Sequence, residues 1–176
     1  DGAVDDSHMA AMAASKLTGA LPAISGASLT TMPTGSVLQV VHGSYSSVMS
    51  TTSNSTFVST GASIAITPSS TSSKVLVMFN QHIRVDKSNS DQGAGFAIKR
   101  GSTTVWSTPV PYSFYSYNGT SAENDKRLYQ FLTYLDSPNT TSATTYTSFI
   151  NEYGGGTTYA QHDSTPTMMT LMEIAG

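Results

Sequence analysis

From Val37 to its last residue the chain is broken into short runs rich in β-branched and aromatic residues, each bounded by Ser, Asn, Gly or Pro clusters. Nothing between these runs has the length and 3.6-residue period of a packed helix. Such a chain buries its apolar residues only by stacking or closing sheets. The runs predict strands near 37–48, 56–67, 74–85, 94–107, 127–136, 143–153 and 167–175. Alternation is cleanest in Ala62-Ser63-Ile64-Ala65-Ile66-Thr67, the pattern of a half-buried strand. Lys74-Val75-Leu76-Val77-Met78-Phe79 is instead almost continuously apolar, which predicts a central strand with the core on one face and a neighbouring subunit on the other. The cluster Pro68 to Ser73 separates two strands, and Gly101 in Lys99-Arg100-Gly101-Ser102 supplies the positive φ of a tight hairpin. The expected fold is all-β, an antiparallel β-sandwich of jelly-roll type.

The pattern begins abruptly after Pro33-Thr34-Gly35, so we divide the chain into a segment over 1–36 and a sandwich over 37–176. His8 to Ala14 is helix-compatible but too short to be stable alone. Leu17, Leu21, Ile24 and Leu29 are then spaced among Gly, Pro, Ala and Ser. That spacing fits neither a continuous helix nor a regular strand, and the aliphatics cannot be buried by the segment itself. It predicts a short extended or helical shaft wound around identical copies, with a flexible tether as the other reading. A start at Asp1-Gly2 is what a portion of a longer polypeptide would show.

Composition removes several classes of function. Charged residues are 11% of the chain against about a quarter in average proteins, and the formal net charge is −3. That leaves no electrostatic footprint for nucleic acid or an anionic membrane. No apolar run reaches the roughly 18 residues of a membrane span, so no membrane insertion is expected. Cysteine is absent, which excludes disulfides and thiolate metal sites. The 28 Ser and 25 Thr could signal disorder, but they alternate with Val, Ile, Phe and Tyr and so read as the polar faces of strands and turns.

The leader Lys16-Leu17-Thr18-Gly19-Ala20-Leu21-Pro22-Ala23-Ile24-Ser25-Gly26-Ala27-Ser28-Leu29-Thr30 resembles the "LTG-x-LPAI-x-G-x-x-LT" phrases of bacteriophage tail fibres, especially those of marine phages. The later phrases SSKVLVMFNQHIRV, GAGFAIKRGSTTVW, FLTYLDSP and MMTLMEIAG, in that order, resemble C1q-like and tumour-necrosis-factor-like trimeric jelly rolls, whose final strand also ends the chain within the sheet. These resemblances imply a homotrimeric fibre head. They also imply a place in the virion, and other virion proteins as partners of the N-terminal segment.

Catalytic constellations are absent from the sequence. No Gly-x-Ser-x-Gly elbow accompanies the abundant serines. Asp86, Asp91, Glu123, Asp125, Asp136, Glu152, Asp163 and Glu173 carry no pairing signal, and the bland reading of each is a solvated turn residue. His8, His42, His82 and His162 show no ligand spacing, so neither a metal nor another cofactor is expected. Only three-fold presentation of a loop histidine, with His162-Asp163 the best placed, would alter that. We expect no enzymatic activity.

The aromatic run Tyr112-Ser113-Phe114-Tyr115-Ser116-Tyr117-Asn118-Gly119, after Pro109 and Pro111, is the best binding candidate. Tyrosine offers a flat apolar ring with a polar tip at low entropic cost, suited to stacking on sugars. Tyr153 and Tyr159, flanking Gly154-Gly155-Gly156, qualify for the same reason. Packing at a subunit interface is the competing role for all of them, whereas Trp106 reads as core. The functional expectation is a tail-fibre structural protein whose head recognises a host-surface receptor, a glycan or a protein. A capsid-decoration, head-fibre or tail-connector protein that binds only other virion proteins is the alternative. A polysaccharide-degrading tailspike would need coil-length repeats, and none is present.

Overall fold

The computed structural model describes residues 33–87, 91–109, 113–116 and 124–176. The leader phrase lies outside them, as do Tyr112, Tyr117 and Asn118 of the aromatic run. The described strands all fall in the compact unit Pro33–Gly176. They are β1 (Val37–Tyr45), β2 (Met49–Thr51), β3 (Val58–Ile66), β4 (Lys74–Lys87), β5 (Gln92–Arg100), β6 (Thr103–Ser107), β7 (Phe114–Ser116), β8 (Asn124–Asp136), β9 (Thr144–Tyr153), β10 (Thr157–Ala160) and β11 (Thr167–Ile174).

Three pairs of these strands lie end to end. β10 and β11 share one edge of β4, β2 and β1 continue outward beside them, and β6 and β7 share one edge of β5. Counted as continuous strands, they form two four-position sheets. One runs β1/β2, β10/β11, β4, β8; the other runs β3, β9, β5, β6/β7. All pairings are antiparallel. The fold is therefore the all-β sandwich expected, with the strand order of a jelly roll.

The seven predicted strands recover the long elements. The run near 94–107 divides into β5 and β6 at Gly101, whose φ is 56°. β2, β7 and β10 are additions, each only three or four residues long.

The core lies between the sheets. β3 contributes Ala62, Ile64 and Ile66, β4 contributes Val75, Val77, Phe79, Ile83 and Val85, and Phe96, Ile98, Ile150 and Leu171 complete it. Each large apolar side chain buried here contributes about 1.5–3 kcal/mol. Trp106 sits at the margin, half-buried, its ring 6.1 Å from that of Phe96.

A polar line also crosses this core. Thr60 Oγ1 and Ser148 Oγ are 2.5 Å apart, and Ser148 Oγ donates to Gln81 Oε1 at 3.0 Å, joining the two sheets. Gln81 lies within 3.3 Å of the buried Gln161 amide, which also meets Thr167 Oγ1. Gln161 opens a turn in which it, Asp163 and Ser164 all have positive φ, and its buried amide anchors that uncommon backbone.

Two further clasps close the end of the sandwich where the chain enters. Glu173, fully buried, accepts from Gln39 Nε2 at 2.6 Å and from the Ser69 backbone and hydroxyl at 2.7 and 2.6 Å. Burial opposes its charge, yet the hydrogen bonds from Ser69, Gln39 and Ser73 prevail and hold its pKa below the ordinary glutamate value. At the same end Gly35 N donates to Ala175 O and Ala175 N to Ser36 O, each at 2.8 Å, so the strands open and finish side by side.

Candidate functional site

The outer face of the β3–β9–β5 sheet carries the aromatic candidate. Gly93 on β5 is registered with Tyr115 on β7 and with Tyr153 on β9, so the two tyrosines flank a residue without a side chain. Their rings lean together across it, with centroids 5.9 Å apart at 52°. Tyr115 is 41% exposed and Tyr153 36%, and Tyr115 Oη donates to Asp91 Oδ2 at 2.9 Å. Beside them Asn151 Oδ1 accepts from Gly95 N at 2.6 Å, and the Phe57 ring covers Gly95 so closely that an added Cβ would crowd it. The result is a shallow surface with two tilted rings and a carboxylate, chemistry that stacks on an apolar ring face and hydrogen-bonds to hydroxyls.

The other sequence candidates are distributed differently. Phe114 turns inward and packs on the core. Tyr159 is half-buried on the outer face of the opposite sheet, registered with Arg84, so the Gly154–Gly156 turn carries Tyr153 and Tyr159 to opposite surfaces. Arg84 Cζ lies 5.2 Å above the Tyr159 ring, and His162 packs edge-on against it at 5.1 Å.

Around Tyr159 is an ionic cluster that the sequence did not disclose. Arg84 reaches Asp86 and Asp125 at 3.0 Å each, and Arg127 reaches Asp125 at 2.8 Å and Asp163 at 2.9 Å. Arg84 Nη1 lies 2.8 Å from His162 Nε2, which makes that nitrogen the acceptor, and His162 Nδ1 lies 2.8 Å from Asp163 Oδ1. The Arg127 hydrogen bond is the main reason the Asp125 pKa is lowered, and the His162 contact does the same for Asp163. His82, buried beneath the Tyr129 ring at 5.3 Å, has its pKa lowered chiefly by desolvation. Among the described residues no group of three or more His, Asp or Glu is placed to hold a metal ion.

Beyond the ionic cluster the same outer face becomes apolar. Val40, Met78, Tyr129, Phe131, Leu135 and Met168 are between 36% and 68% exposed on it. Between Phe131 and Met168 lies a shallow depression of about 170 Å³, bordered by Met78, Asn80, Thr133 and Thr170.

No protein-family model and no curated protein matches the chain. Among solved structures it is similar to the infectious bursal disease virus VP2 subviral particle, at TM-score 0.37 and 14% identity, covering 88% of this chain and 42% of that one. It is also similar to the T=1 particles derived from the same virus, at TM-score 0.35 and 14% identity, covering 89% of this chain and 41% of that one. The chain thus spans about two-fifths of the length of these structures.

Proposed function

We propose that this chain is a structural module of a virion fibre, a homotrimeric head that contacts a host-surface glycan or protein through the Tyr115–Tyr153 pair. The leader phrase Lys16 to Thr30, followed in one chain by a jelly-roll sandwich, supports the fibre assignment. The observation that carries the receptor reading is the placement of the aromatic pair. The chain enters the sandwich at Pro33–Ser36, beside Ala175, at the end where Asp136 meets Tyr146. The pair lies at the opposite end of β9, about 23 Å further along the strand from Tyr146. A head held at its entry end therefore presents Tyr115 and Tyr153 outward. Three copies would multiply a weak single contact by avidity. No step of this role requires an enzyme or a cofactor.

The test is labelling of host cells and of a glycan array by the fluorescent full chain. Binding should fall at least tenfold in Tyr115→Ser with Tyr153→Ser, with the solution mass unchanged. Retained binding by that variant removes the pair from the contact. Labelling of fibre-less particles but never of cells moves the chain to decoration or connection.

A further inference from the structure

We infer that the end of the sandwich beneath the Gly154–Gly156 turn binds a monovalent metal cation through Glu152, Gln92 and Thr158. Among the described residues the buried acids are Asp136, Glu152 and Glu173. Asp136 pairs with Arg100 at 3.0 Å and accepts from Tyr146 Oη at 2.7 Å. Glu173 accepts hydrogen bonds on both oxygens, from Gln39 and from Ser69. Glu152 is 0% exposed and only half satisfied. Its Oε1 accepts from Gly156 N at 2.7 Å, while no described residue donates to Oε2 or forms an ion pair with the carboxylate. A charge removed from water in this way is costly until a positive charge compensates it.

Two further oxygens share the defect. Gln92 is 1% exposed and Thr158 0%, and neither Gln92 Oε1 nor Thr158 Oγ1 has a hydrogen-bond partner among the described residues. The backbone brings the three together. On β9 Glu152 keeps the inward parity of Tyr146 and Ile150, and on β5 Gln92 keeps that of Phe96 and Ile98. Gly93 pairs with Tyr153 and Gly95 with Asn151, so Ala94 lies opposite Glu152 and Gln92 is its diagonal neighbour on the same face. Thr158 comes from the facing sheet, with the inward parity of Ala160, two residues beyond the Gly156 N–H that holds Glu152.

The chemistry of these groups selects the ligand. Glu152 Oε2 and Gln92 Oε1 are pure acceptors, and the single Thr158 hydroxyl proton cannot serve both. Carboxylate, amide carbonyl and hydroxyl oxygens together are the donor set of a hard cation. One carboxylate among neutral oxygens balances one positive charge, so the buried position suits sodium, whereas a divalent ion would bring an excess charge. Such a centre differs from one built on three or more acids or histidines, of which the described residues hold none. The cover is thin, because the turn over Glu152 is three glycines and Gly155 is exposed. A cation here ties β9 to β10 across that turn and steadies Tyr153, the next residue after Glu152, whatever Tyr153 contacts outside.

Thermal melting of the full chain at pH 7 in sodium chloride, against Tris chloride of equal ionic strength, is the test. The wild type should melt at least about 4 °C higher in sodium, with an effect that saturates. Glu152→Gln should melt at one temperature in both salts, whereas Glu173→Gln should keep the sodium response. Thr158→Val preserves shape and should raise the half-saturating sodium concentration at least about fivefold. Sodium NMR supplies a readout that needs no variant, because the wild-type chain should broaden the sodium line saturably. Equal melting in both salts with an unbroadened line overturns the site. A response to calcium and none to sodium overturns the monovalent assignment. Neither result bears on cell labelling, so the receptor contact stands or falls separately.

Discussion

The two outer faces of this sandwich are built on the same inward pattern and differ only in what they show the solvent. On β3 every second residue, Thr60, Ala62, Ile64 and Ile66, is buried, and the residues between are Ser59, Gly61, Ser63 and Ala65. On β4 the inward buried set is Val75, Val77, Phe79, Gln81, Ile83 and Val85, while the intervening Leu76 and Met78 are themselves apolar. Interior burial is thus complete in both sheets, and the outward set of β4 is free to record a second environment. An alternating strand turns a polar face outward, whereas a continuously apolar antiparallel strand turns apolar side chains outward as well as inward.

The comparison can be broken first from the inside. Among the residues of β4 whose side chains are described, Gln81 is the inward polar one, and it joins the sheets through Ser148. Gln81→Leu leaves the Ser148 hydroxyl and the Gln161 amide each short of a partner in the core. The loss should be about 1–3 kcal/mol, read as a lower urea midpoint at constant slope. If the midpoint holds, the polar line adds nothing to the joining of the sheets.

Acid separates the faces less sharply. The Glu173 pKa is lowered in the folded state, so its stabilising contribution is complete above the ordinary glutamate value of about 4.3 and is lost as pH falls through the folded value. Melting temperature should therefore drop steeply below about pH 4.3, and Glu173→Gln should flatten that drop while lowering stability at pH 7. An unchanged acid limb in the variant would assign it to other carboxylates.

The smallest effect sharpens the contrast most. Thr145→Asp, on the polar outer face, should change stability by less than about 0.5 kcal/mol and leave solution mass unaltered. The equivalent charge at Phe131 removes the ring stacked on Tyr129 and should cost about 0.5–1.5 kcal/mol. Equal outcomes for the two substitutions would erase the distinction between the faces.

Legibility followed the range of the interactions involved. Ala62 to Thr67 and Lys74 to Phe79 announce their strands because each is long enough to carry a period, and Gly101 marks its hairpin because φ 56° is cheap only without a side chain. β2, β7 and β10 have no period of their own and exist because β10, β5 and β4 offer them an edge. Phe114 was hidden in a run of tyrosines, since only the register with Ala94 turns it inward. The aromatic pair was legible as residue types but not as a pair: Tyr115 and Tyr153 meet through Gly93, which no local pattern identifies. Tyr153 and Tyr159, close in sequence, are carried apart because the turn between them passes from one sheet to the other. The Arg84–Asp125–Arg127–Asp163 cluster joins β4, β8 and the turn before β11, and solvated turn residues were the natural reading of its acids.

The clasp of Gly35 and Ser36 with Ala175 has a mechanical meaning. In the role proposed above, a tug arriving through residue 33 and resisted at Tyr115 and Tyr153 would act between opposite ends of the sandwich, lengthwise along its strands. The ladders are then loaded in shear, with the Val37–Tyr45 and Thr167–Ile174 bonds sharing the load together. A head anchored at the same end as its binding surface would peel one bond at a time. In the proposed role this one would resist as a row.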